Sequence, residues 1–137
     1  MVRELIHDPI LLSRPSREAV SADASIAEDL LDTLKAHKQT CVGMAANMIG
    51  QFVRIIAFDC DGKYMVMFNP EVIKAEGAFE TEESCLSLLG GPRKTTRYRK
   101  IKVRYQTETM QTRLKTFNGW TAQIIQHEID HCNGILI

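Results

Sequence analysis

The sequence predicts an α+β domain built on antiparallel strands. Helical periodicity is confined to one stretch near the start and one at the end, and the region between them alternates with a period of two. There is no regular strand–helix–strand alternation and no internal repeat. At 137 residues the chain suits one domain with its own core, so residues 1–137 are expected to form a single unit without a linker.

The opening segment, RELIHDPILLSRPSREAV, carries prolines at 9 and 15 and reads as extended chain with turns. From Ser21 to Lys38, Ile26, Leu30, Leu31 and Leu34 fall at helical spacing, and Ser25 with Glu28 has the form of a capping box. The stretch CVGMAANMIGQ, 41 to 51, is rich in small residues and holds two glycines. It fits either a close approach of backbone to something or a tight helix-to-strand connection. Two β-prone runs then flank Asp61-Gly62, a hairpin signal, with Asn69-Pro70 expected to close the second run and further extended chain through Val72 and Ile73. Over 96 to 117, Ile101, Val103 and Tyr105 alternate with Lys100, Lys102 and Arg104, and Met110, Thr112, Leu114 and Thr116 continue the pattern, predicting another antiparallel pair. Helix is expected to resume after Asn118-Gly119.

Lys+Arg and Asp+Glu balance at 17 each, so net charge gives no reason to invoke DNA or another nucleic acid. Seven of the twelve residues from Arg93 to Arg104 are basic, a run that reads as a solvated strand face balanced by acids elsewhere. Apolar runs such as Ile10 to Leu12 fall far short of the roughly 18 residues of a membrane span, and the N-terminus lacks the apolar core of a secretory signal. Cysteines 41, 60, 85 and 132 are scattered without a paired framework, which suits free or metal-bound thiols in a reducing, cytoplasmic setting.

The chemistry concentrates in QHEIDHCNG, 126 to 134. In a helix, His127 and His131 lie one turn apart on one face, where two neutral imidazoles can hold one ion, with Glu128 beside them able to take a proton from water and pass it to a leaving amine. Trp120 and Ile124 continue the same stripe, which is expected to face inward. The plain alternative is a surface helix that happens to carry these residues. A third ligand is needed from among His7, His37, the cysteines and the acids, and the context EESCLSL favours Cys85.

Three blocks, in order, resemble the peptide deformylase family: Gly43-Met44-Ala45-Ala46-Asn47-Met48-Ile49-Gly50, Glu83-Ser84-Cys85-Leu86-Ser87, and Gln126-His127-Glu128-Ile129-Asp130-His131-Cys132-Asn133-Gly134. The resemblance implies a fold of antiparallel β-sheets around a central helix bearing the HExxH motif. It implies Cys85, His127 and His131 as ligands of Fe²⁺, with Zn²⁺, Ni²⁺ or Co²⁺ able to occupy such a site. The implied reaction removes the formyl group from the N-terminal formylmethionine of new polypeptides. Glu128 then acts as the acid/base, the backbone N–H of Leu86 helps hold the oxyanion, Val42 and Gly43 lie along the substrate backbone, and Trp120 and Ile124 wall the methionine pocket. With Ile137 following so soon after the last block, any C-terminal helix or tail by which relatives dock on the ribosome is expected to be missing, which makes ribosome contact doubtful.

Three positions depart from the family pattern. Met48 replaces a glutamine whose amide donates to the oxyanion, and losing one such donor typically costs about 10² to 10³ in rate. Ser84 and Cys41 each replace a glycine, which removes backbone freedom. Weakened or altered activity is therefore expected, the alternative being a non-catalytic metal-containing binder of formylated or other N-terminal peptides.

Overall fold

A computed structural model describes residues 1–137 apart from the side chain of Leu89. The N-terminal segment, expected to be extended, also contains one helical turn, α1 (Pro9–Leu12), which starts on a proline with the Asp8 carboxylate accepting the Ile10 N–H at 2.9 Å. Helix α2 (Ala24–Ala36) lies within the predicted span and is entered through a 3-10 turn at Ser21–Asp23. Ser25 thus falls inside the first turn and Glu28 just beyond it, and neither caps the helix. The residue before the helix is Asp23, whose carboxylate accepts the Val20 N–H and both terminal nitrogens of Arg17 at 2.8 to 2.9 Å.

Five strands follow, β1 (Gly43–Ala45), β2 (Ile55–Cys60), β3 (Lys63–Cys85), β4 (Leu88–Gln106) and β5 (Thr112–Asn118), and they pair antiparallel in sequence order. Asp61 (φ 51°) and Gly62 (φ 90°) both adopt the left-handed conformation that a two-residue hairpin turn requires, and they join β2 to β3. One expectation fails here, because Asn69-Pro70 does not end the strand. The register with β4 slips between Phe68 and Glu71, and β3 continues to Cys85. Proline has no N–H for the ladder, so a bulge accommodates it. Asn69 is held at φ 52° by its own side chain, which accepts the Ala19 N–H at 2.7 Å and donates to the Ala19 carbonyl at 3.0 Å.

The sheet packs helices on both sides. Ile56 and Phe58 of β2 join Met67, Ile101, Val103 and Phe117 against Ile125 and Ile129 of the last helix, α3 (Gly119–Cys132). The alternate residues Ile55 and Ala57 face Leu30 and Leu34 of α2 together with Phe68. This explains why IIAF is apolar without alternation: both faces of β2 are buried. Each fully buried Ile or Phe contributes about 1.5 to 3 kcal/mol, enough to lock α3 against the middle of the sheet.

Candidate active site

Helix α3 turns its Ile125 and Ile129 toward the sheet and leaves Ile124, His127, Glu128 and His131 along an adjoining stripe. Ile124, His127 and Glu128 of that stripe floor a cleft of about 530 Å³, with residues 38–43 forming one wall and Glu82 to Leu86, at the end of β3, forming the other. The close approach anticipated near Gly43 is real: a Cβ there would lie 2.7 Å from Ile124 Cγ2 and 2.9 Å from Glu128 Oε2.

The ligand atoms of Cys85, His127 and His131 all lie within 4.8 Å of one another. Each histidine has one ring nitrogen already engaged. His127 Nδ1 meets Glu83 Oε1 at 2.8 Å, and His131 Nε2 meets the Ile137 carbonyl at 3.0 Å. This is how ligating imidazoles are oriented, with one nitrogen fixed by an outer partner and the other left for the ion. His131 Nδ1 is buried with no hydrogen-bond partner, 3.4 Å from Glu128 Oε1. Burial and the neighbouring His127 push His131 down to about 4, so it is neutral and can offer a lone pair. At His127 burial acts downward too, but Cys85 and Glu83 outweigh it and raise the group to about 10. Surroundings that favour positive charge so strongly suit a cation. A soft thiolate, two imidazoles and an orphaned buried nitrogen therefore fit a divalent transition metal in a three-ligand set, the form that leaves a position open for chemistry.

Burial pushes the Glu128 carboxyl up to about 7, and its Oε1 has no hydrogen-bond partner. A carboxylate with proton affinity near neutrality is suited to both accepting and returning a proton.

Several features were not anticipated. Glu83 is the hub of a buried network: it accepts from His127, from Arg97 (Nε at 3.0 Å, Nη2 at 2.7 Å) and from Gln123 at 2.8 Å, while Arg97 Nη1 reaches Asp130 at 2.6 Å. Burial alone would raise Glu83, but these donors hold it at about 2. Arg97 thus departs from the solvated face read for the 93–104 run; it is 4% exposed. Elsewhere in that run the reading fits, with Arg104 on Glu71 at 2.7 Å and Lys94 opposite Glu82.

Of the other predicted residues, Leu86, Val42, Gly43 and Ile124 line the cleft, as does Trp120, which stands at its rim, 62% exposed, and not in the interior. His7 and His37, open as third-ligand candidates, bond instead to the carbonyls of Ser87 and Thr33. Cys41 lines the cleft, its thiol donating to the Gly43 carbonyl at 2.9 Å and pushed up to about 12 by burial. Cys132 packs in the core. Met48 is buried in the α2-side cluster, which Cys85 also touches, and the Asn47 amide is taken by backbone carbonyls.

Comparison with known proteins agrees with this geometry. A profile described as Polypeptide deformylase matches residues 5–137. A peptide deformylase from Clostridium beijerinckii is 47% identical over 137 residues, covering 100% of both chains, and one from Dictyoglomus thermophilum is 33% identical over 100% of this chain and 91% of its own. Among solved structures, a peptide deformylase from Legionella pneumophila superposes with a TM-score of 0.89 at 31% identity, covering 99% of this chain and 83% of that one. A class I type b peptide deformylase from Acinetobacter baumannii with Met-Ala-Ser bound gives 0.88 at 25% identity, covering 99% and 96%. With matching sequence along its whole length, the same fold and a Cys-His-His cluster at the cleft, this chain belongs to the peptide deformylase family.

Proposed function

We propose that the protein is a metal-dependent hydrolase that releases formate from the N-terminal formylmethionine of new polypeptides. The observation that carries this is the conjunction of the Cys85, His127 and His131 cluster, of which Cys85 and His127 line the cleft, with Glu128, buried in the same cleft and with a proton affinity near neutrality. Cys85, His127 and His131 would hold the ion, for which we favour Fe²⁺. When bound, it supplies Lewis acidity to the formyl carbonyl and the attacking water.

The chain's own residues divide the remaining work. Glu128 takes a proton from the water as the C–O bond forms, then returns it to the nitrogen as the C–N bond breaks, leaving formate and a free amine. The substrate backbone lies along the outer edge of β1, whose described partner in the sheet is β2 alone, so Val42 and Gly43 can receive it as an added strand. The methionine side chain packs against Ile124 and under the rim at Trp120. With Met48 unable to donate and the Asn47 amide committed elsewhere, the backbone N–H of Leu86 is left as the donor to the oxyanion. The four thiols, none in a disulfide, suit a cytoplasmic protein. Among the described residues no helix is long and apolar enough to cross a membrane. The non-catalytic reading gains no support, since the relatives named above are all peptide deformylases and pure binding has no use for a glutamate buried beside the cluster.

Formate release from a formyl-Met peptide by anaerobically prepared, Fe²⁺-loaded protein tests this. Turnover is expected, with Glu128→Ala lowering it about 10² to 10⁴-fold while metal content is retained. A fully metallated protein whose formate release does not exceed that of Glu128→Ala would replace the enzyme reading with peptide binding.

A further inference from the structure

Leu12, Asn47, Ser87 and His131 border a small crevice that shares no lining residue with the cleft. Asn47 is 1% exposed and belongs to the 3-10 turn Ala46–Ile49 that follows β1. Its Nδ2 uses both hydrogens on backbone: it donates to the His131 carbonyl at 3.0 Å and to the Leu12 carbonyl at 3.4 Å. Both partners are carbonyls, so the amide has only one orientation. Its Oδ1, like Ser87 Oγ, is buried with no hydrogen-bond partner. The nitrogen is thus the only polar atom of the Asn47 side chain that has partners.

The His131 carbonyl belongs to the last turn of α3, where it accepts the Gly134 N–H at 3.0 Å and takes the Asn47 amide as a second donor from outside the helix. Arg54 grips the same end one residue later, reaching the Cys132 carbonyl at 3.5 Å and Asn133 Oδ1 at 2.8 Å. The two contacts differ in what they fix. Arg54 holds the helix terminus. Asn47 holds the backbone of the ligating residue itself and ties it to the block bearing Gly43 and to α1.

We infer that Asn47 is a positioning residue for the metal site, its side-chain amide fixing the backbone of His131 so that the imidazole is held ready for the ion. This rests on the metal-site reading above. An outer contact of this kind typically changes metal affinity by about 10 to 100-fold when removed. A residue serving only stability would lower the melting temperature without that selectivity.

The test compares Asn47→Asp, which keeps the shape but replaces the donor by an acceptor facing two carbonyls, with Arg54→Ala, which loosens the same helix end. Co²⁺ affinity is measured by chelator competition, following the visible absorption of the thiolate-bound ion, and the melting temperature of the metal-free proteins is measured alongside. The expected result is that both variants melt lower, while Co²⁺ binds about tenfold or more weakly to Asn47→Asp and within about twofold of the parent to Arg54→Ala. If Asn47→Asp does not fold, Asn47→Ala takes its place with the same expectation. Unchanged affinity in the Asn47 variant, or an equal loss in both variants, overturns the inference. Failure of the parent protein to bind Co²⁺ at Cys85, His127 and His131 would instead overturn the metal-site reading on which it stands.

Discussion

Gly43 sets how near β1 can come to α3. Its missing side chain leaves room for Glu128 Oε2, which would sit 2.9 Å from a Cβ at that position, and for Ile124 Cγ2 at 2.7 Å. Gly43→Ala therefore has to displace Glu128, the proposed acid/base, or the strand proposed to receive the substrate. A shift of about 1 Å in reacting geometry costs on the order of 10² in rate. Because no ligand atom comes from β1, metal content should stay at the parent level while kcat/KM falls about 100-fold. A variant with full activity would show that the strand yields without moving Glu128. The sequence revealed this glycine only as one of two readings, since whether small residues admit a close neighbour depends on what the fold brings there. The spacing of His127 and His131, the proposed ligand pair, was readable at once, because one helical turn fixes their relation locally.

At the level of elements, the parts with local causes were legible and those with distant causes were not. Helix α2, the Asp61-Gly62 hairpin and the β4–β5 pair follow from periodicity and turn residues a few positions apart. The passage of β3 through Asn69-Pro70 depends on Ala19, fifty residues away, and could not be seen. Arg97 is the clearest case. Its neighbours in the chain mark it as one more exposed cation, yet it is buried because Glu83 from β3 and Asp130 from α3 converge on it. The resulting bridge joins the wall of the cleft to its floor and steadies the carboxylate that orients His127. Arg97→Met would leave Glu83, 8% exposed on its side chain, without its main counter-charge. Breaking one partner of a buried pair costs about 3 to 5 kcal/mol, so denaturant unfolding should show a loss near the lower end of that range, Asp130 being partly solvated. A loss under about 0.5 kcal/mol would place the network among ordinary surface ion pairs.

For the whole molecule, the three proposed ligands join elements that are otherwise held by packing and by the hydrogen bonds and ion pairs centred on Glu83. Cys85 ends β3, and both histidines stand on α3, so an ion bound among them ties the long hairpin to the central helix and exists only when both are in place. Binding to the folded state alone stabilises it by about 2.7 kcal/mol when free ion exceeds the dissociation constant a hundredfold, which for a domain of this size corresponds to roughly 10 °C in melting temperature. Chelation should lower the midpoint by that order, and adding back Zn²⁺ or Co²⁺ should restore it in proportion to the logarithm of ion concentration. Cys85→Ser should blunt the response, because a hydroxyl is a poor ligand for these ions compared with a thiolate. Its metal-free form should melt close to the metal-free parent, since the substitution removes one sulfur from a half-buried position. Equal midpoints for the loaded and stripped parent would mean that the cluster is rigid without the ion and that β3 and α3 are held together by the Glu83–Arg97–Asp130 bridge and the core alone.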